Sequence, residues 1–231
     1  MLVFIGAGAD AQKDRPKNLE EKFSGKNRRF HFGFLLGYNT CDYFTYTEPD
    51  FTFQDSILSI VPRRAPGFIL GIVSSLHLDN NWKLRFLPTL SFEDRVFDYR
   101  FLESDGSIST TEVRVESTFI QFPLLLKFRT NRVNNWCAYL IGGGQYGIDL
   151  AANLDVVNTN VPADILKTVR NDWALQIGGG FDFFLQYFKF GIELKLHNGL
   201  NNSLVQDNSY YSTPLSRLRT RAWLVSFTFE G

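Results

Sequence analysis

Several features that would commit this 231-residue chain to a familiar soluble activity are missing. No stretch approaches the roughly 18 consecutive apolar residues of a spanning helix, because runs such as Leu124 to Leu126 are soon broken by Lys127 and Arg129. Crossing a membrane by such a helix is therefore excluded for these segments. Net charge is also missing, since 24 Lys and Arg balance 24 Asp and Glu. That balance argues against nucleic acid as a partner, which would call for a basic field over the whole protein. Neither G-x-S-x-G nor H-E-x-x-H occurs, so the common hydrolase and zinc-protease signatures are absent. No Lys or Arg precedes Lys13.

What the chain does have is aromatic weight: 16% of residues, with 23 Phe, set among 21% charged residues. Such interleaving calls for a two-faced element, and the strand, whose side chains alternate with period two, supplies one. Phe30, Phe32, Phe34, Leu36 and Tyr38 fall on one side of the first such segment, with His31, Gly33 and Gly37 on the other. Gly67 to Leu78 repeats the pattern, turns at Asp79-Asn80-Asn81, and passes into a third segment that sets Trp82, Leu84, Phe86, Leu90 and Phe92 against Lys83, Arg85, Thr89, Ser91 and Glu93. A fourth carries Ile120, Phe122, Leu124, Leu126 and Phe128, and Pro123 within it predicts a bulge or a lost ladder bond. The fifth starts at Trp136, the sixth runs from Asp172 to Leu185 with Gln176, Asp182 and Gln186 inward, and the seventh alternates Phe188 to Leu196 against Lys189 to His197. The eighth ends in the aromatic alternation Trp223 to Phe229.

Eight amphipathic strands with bulky apolar residues on one face predict an all-β fold, an antiparallel up-and-down transmembrane barrel. Its domains read as 1–11, a signal peptide or the remainder of one, ending Ala9-Asp10-Ala11; 12–28, a flexible periplasmic leader; and 29–229, the barrel. Long connections fall near 39–66, 102–110, 150–171 and 199–216, and short turns near 80, 132 and 187. In outer-membrane barrels the short turns are periplasmic, which places both termini in the periplasm.

The inner register collects the lumen charges Lys83, Arg85, Glu93, Asp182, Lys189, Glu193 and Lys195. In so narrow a barrel they fill the lumen, and Lys83, Arg85, Lys189, Glu193 and Lys195 are expected to pair internally, leaving no solute channel. Arg217, Arg219 and Arg221 share the register of Trp223. They are candidate contacts for lipopolysaccharide phosphates at the outer rim; a solvated basic strand end is the alternative. Gly142 to Gly147 spells G-x-G-x-x-G, but no helix follows to aim N-H groups at a pyrophosphate, so these glycines read as relief of crowding. His31 and His77 fall near one end of adjacent strands without a third metal ligand, and read as hydrogen-bonded lumen residues. Cys41 and Cys137 lie at opposite ends of the barrel, too far apart for a bridge. No catalytic residue, cofactor or metal is expected.

Five segments resemble the PorT family: Arg29 to Asn39 (RFHFGFLLGYN), Ala65 to Val73 (APGFILGIV), Val115 to Phe128 (VESTFIQFPLLLKF), Asn134 to Gly142 with the downstream DLAANLD, and Phe188 to Asn201 (FKFGIELKLHNGLN). The FPLLLKF phrase alone is shared by many eight-stranded barrels; the VEST extension, the PGF opening and GIELKLHNGL make the resemblance more specific. It implies a non-enzymatic outer-membrane component of the type IX protein secretion system, required for export of cargo and, in relatives with gliding motility, of surface adhesins. Its partners would be outer-membrane lipid, lipopolysaccharide and other proteins of that system. The alternatives are a generic small barrel acting as an adhesin or as a lipid-modifying enzyme.

Overall fold

A computed structural model of the chain describes residues 29–47, 57–103, 105–150, 168–205 and 215–231. The expected signal and leader, 1–28, lie outside the described residues. Among those described there are nine strands: β1 (Phe30–Thr47), β2 (Ile57–His77), β3 (Trp82–Phe86), β4 (Thr89–Leu102), β5 (Ile108–Arg129), β6 (Trp136–Asp149), β7 (Asn171–Phe184), β8 (Lys189–Gly199) and β9 (Leu215–Glu230). All pairings are antiparallel, and β1 pairs both β2 and β9, so the sheet closes on itself. β3 and β4 each pair with β2 and with β5, which makes them two halves of one stave and the ring eight staves around.

The break in that stave is at Leu87-Pro88, since Pro88 has no N-H to give the ladder. Pro123, which the sequence marks as the irregularity, keeps an unbroken register, pairing Gln145 on β6. Its carbonyl accepts from the Leu87 N-H at 3.0 Å, so the interruption has moved to the strand opposite. Three turns are short, as expected. Leu78 N-H donates to the Trp82 carbonyl at 3.1 Å, Val133 and Trp136 exchange bonds of 2.9 and 3.1 Å, and Leu185 N-H donates to Phe188 at 3.0 Å. Asn134, at φ 53°, takes the left-handed position that asparagine tolerates. Gln186 lies exposed in the last of these turns and not on the inner face.

The first long connection is largely strand and the second is a short hairpin. β1 runs on to Thr47 and β2 starts at Ile57, and β4 and β5 meet in a hairpin closed by the Glu103 N-H donating to the Ser107 carbonyl at 2.9 Å. Tilted strands cross hydrocarbon in about 9–11 residues. β8, with 11 residues, matches that length, whereas β2 has 21 and β5 has 22. β2, β4 and β5 therefore continue past the membrane as a projecting wall, on which Arg63 pairs Asp98 and Glu112, each at 3.5 Å. Single-residue alternation misses this extension because its outward residues are no longer uniformly apolar.

The outer face of the ring is apolar and exposed: Phe32, Phe34, Phe68, Ile72, Leu140, Ile177 and Leu194 all project from it. Cross-strand aromatic pairs knit it, among them Phe34 with Phe229 (centroids 4.8 Å apart) and Phe68 with Phe92 (4.4 Å). Trp82 and Trp136 open their strands at the short-turn end, where an aromatic girdle belongs.

Inside, curvature crowds the neighbouring strand. A Cβ on inward-facing Gly143 would lie 2.1 Å from the Leu124 carbonyl oxygen, whereas one on outward-facing Gly144 would meet nothing within 4 Å. The glycine triplet thus combines one position that closure requires with one it does not. Gly143→Ala should abolish the folded, heat-modifiable band on a gel of unboiled protein, and Gly144→Ala should keep it. Equal behaviour of the two variants would contradict this packing account.

Candidate functional site

Lumen contents fall into three levels set by strand register. Nearest the short turns, seven charged groups form one chain: Lys195, Glu193, Arg85, Glu230, Lys189, Asp182 and Lys127. Lys195 reaches Glu193 at 3.1 Å, Arg85 donates to Glu193 and, at 3.2 Å, to Glu230, and Lys189 donates to Glu230 at 2.5 Å. Asp182 accepts from Lys127 at 2.7 Å and lies 3.9 Å from Lys189. Tyr139 adds its hydroxyl to Glu193 at 3.0 Å, and its ring lies 3.4 Å beneath the Lys127 ammonium. β3, β5, β7, β8 and β9 are thereby tied across the lumen.

The middle level is aliphatic, built from Leu35, Ile69, Val73, Leu87, Leu125 and Leu224. This departs from the wholly polar lumen that alternation suggests. A cavity here, beside Lys195 and Gln176, measures only about 10 Å³, about the room one water needs. Toward the loops lies a second polar group. Glu93 accepts from Arg95, from the Ser91 hydroxyl at 2.8 Å and from Gln121 at 2.9 Å, and Arg95 stacks on Tyr43 at 4.8 Å. Thr220 donates to Asp172 at 2.8 Å, with His197 3.8 Å from the same carboxylate.

Of the lumen charges read from the sequence, Arg85, Asp182, Lys189, Glu193 and Lys195 meet in the first group and Glu93 stands in the second. Lys83, expected to pair, is buried but has no ion-pair partner among the described residues. Glu230 and Asp182 are already engaged by Lys189 and Lys127. Alternation along the fourth segment sets Lys127 inward, though outside the charges expected to pair; sequence reasoning left out Arg95 and Glu230. Period two from Ser226 through Thr228 carries Glu230 inward, a signal hidden by treating it as a trailing residue. His31 and His77 meet edge to face at 4.7 Å, but His77 has no hydrogen-bond partner on either ring nitrogen, which corrects the expected bonding. Among the described residues no three His, Cys, Asp or Glu side chains gather as a metal site. Cys41 and Cys137 are both buried and unbonded to each other.

On the outer wall the arginine triplet divides. Arg221 grips outward-facing Asp42 with two bonds of 3.0 Å, and Arg64 joins from the other side at 3.1 Å. Asp42 was hidden by ending the first strand at Tyr38. Arg219 lies across from Phe44 and Arg217 from Tyr46, and neither has an ion-pair partner among the described residues. Removing one partner of a buried pair costs about 3–5 kcal/mol, whereas an exposed pair contributes at most about 1 kcal/mol. Glu193→Gln should therefore lower unfolding stability in urea by about 3–5 kcal/mol, and Arg63→Gln by no more than about 1 kcal/mol. A loss below about 1 kcal/mol for Glu193→Gln would show that the lumen network contributes little.

Residues 10–205 match the family described as outer membrane protein beta-barrel domain. Among solved structures the chain is similar to the outer membrane protein OprG from Pseudomonas aeruginosa, with TM-score 0.50 and 14% identity over 87% of this chain and 94% of that one. It is also similar to Neisserial surface protein A, with TM-score 0.43 and 8% identity over 85% and 95% of the two chains. No match is found among curated proteins. The OprG likeness speaks for the fold alone, while the family match spans most of the sequence: this chain belongs to the outer-membrane protein β-barrel family and resides in the bacterial outer membrane.

Proposed function

We propose that this barrel is a non-enzymatic component of the type IX secretion system, of the PorT kind, required for export of cargo proteins. The observation that carries the reading is the set of PorT-like phrases, which fall on β1, β2, β5, β6 and β8 and so run through the barrel. The sealed lumen is consistent with a role exercised through surfaces, with cargo passing elsewhere. Periplasmic termini follow in this reading, and the β2, β4 and β5 extension then projects outward. Exposed Leu58, Val61, Leu102 and Ile108 on or beside that extension give partner proteins of the machinery an apolar surface.

A strain lacking the gene should retain type IX cargo in the periplasm, and the intact gene should restore export. A version with the β4–β5 hairpin shortened should fail to restore it while still giving the folded gel band. Normal cargo secretion without this protein, with lipid modification or surface adhesion lost instead, would replace the proposal with one of its alternatives.

A further inference from the structure

The wall of the barrel carries a groove of about 450 Å³ on the loop half of its outer face, a volume within the about 300–1,000 Å³ range of small-molecule sites. Its sides are Leu175 and Ile177 of β7 with Leu196 and Leu200 at β8, all in the outward register, with the polar, outward-facing Asn198 between the last two, and Gly142 of β6 lies in its bed. The depression has a sequence cause. Outward positions Gly142 and Gly144 carry no side chain between the protruding Leu140 and half-buried Tyr146, so the apolar surface is recessed there while Ile177 stands high beside it.

At the loop end of the groove stands Arg219. Its neighbour in register, Arg221, is neutralised by Asp42; Arg219 has no such acid among the described residues, and its Nε is buried with no hydrogen-bond partner. An apolar slot in the membrane band, closed at one end by an unneutralised guanidinium, has the charge and polarity pattern of one amphiphile: an acyl chain below a phosphate. Guanidinium binds phosphate through two parallel hydrogen bonds, and a donor already stripped of water makes that contact stronger.

We propose that this groove holds an acyl chain of lipid A, with Arg219 on one of its phosphates. Placing the loop end outward selects the glycolipid of the outer leaflet as the occupant. The assignment stands apart from the secretion role, but it rests on the orientation expected from the short turns, which puts the loop end outward. It also divides the arginine triplet: Arg219 binds lipid, Arg221 belongs to the Asp42 bridge, and Arg217 lies outside the groove.

The test is native mass spectrometry of the full chain, released from phosphatidylcholine nanodiscs supplied with lipid A or with phosphatidylglycerol. Wild type should retain lipid A in preference to phosphatidylglycerol. Arg219→Gln should weaken retention by about tenfold, the loss of a charge-assisted contact, and Arg217→Gln should leave it unchanged. Gly142→Leu, whose Cβ would meet only the Gln176 carbonyl at 3.7 Å, should fill the slot and displace the lipid from a barrel that still gives the folded band. Retention undiminished in both Arg219→Gln and Gly142→Leu, or equal retention of phosphatidylglycerol, would overturn the assignment.

Discussion

Hydrocarbon offers no partner to a peptide N-H or carbonyl, so a sheet within it must leave no open edge. The meeting of β1 with β9, from Gly33 opposite Glu230 to Thr47 opposite Leu215, satisfies that requirement, and much else follows from it. Closure with eight staves makes a narrow tube. A narrow tube forces inward Cβ atoms toward neighbouring backbone, which is why an inward position such as Gly143 is glycine. The same narrowness desolvates each charged group that points inward, so those groups must find one another. Arg85, with Glu193 on one side and Glu230 on the other, links strands on opposite sides of the ring.

The two faces consequently obey different rules. Outward residues need only be apolar and bulky, and their aromatic pairs stabilise the wall without fixing its identity. Inward residues are specific, because the cations and carboxylates of the network are matched by geometry and an unmatched one, such as Lys83, is costly. The exceptions to the outward rule are informative for the same reason. Asp42 sits on the outer wall because two arginines cover it, and Arg219 sits there without such cover.

Much of the barrel was legible in the sequence, because alternation of large apolar with polar residues is a direct record of which solvent each side chain meets. The Phe188 to His197 segment shows this most plainly, and its inward Lys189, Glu193 and Lys195 all enter the lumen network. Three things were not legible. The length of β2 and β5 beyond the membrane was hidden because alternation fades once both faces meet water. The break at Pro88 was displaced from the more conspicuous Pro123 because ladder irregularity depends on both strands. The aliphatic middle of the lumen was mostly hidden, because Leu35 and Leu87 have the same polarity as wall residues and only register places them inside, whereas Leu125 falls inward on alternation alone. Partner choice left no periodic trace, and it rests on family-like phrases.

A barrel sealed by its own side chains should conduct nothing. The direct measurement is ion current across a planar bilayer after the folded protein has been inserted. The account predicts no resolvable steady conductance, in wild type and with either sign of applied voltage. Sustained single-channel openings in the wild-type protein would contradict it, since they require a water path through the aliphatic level and the charged chain beneath it.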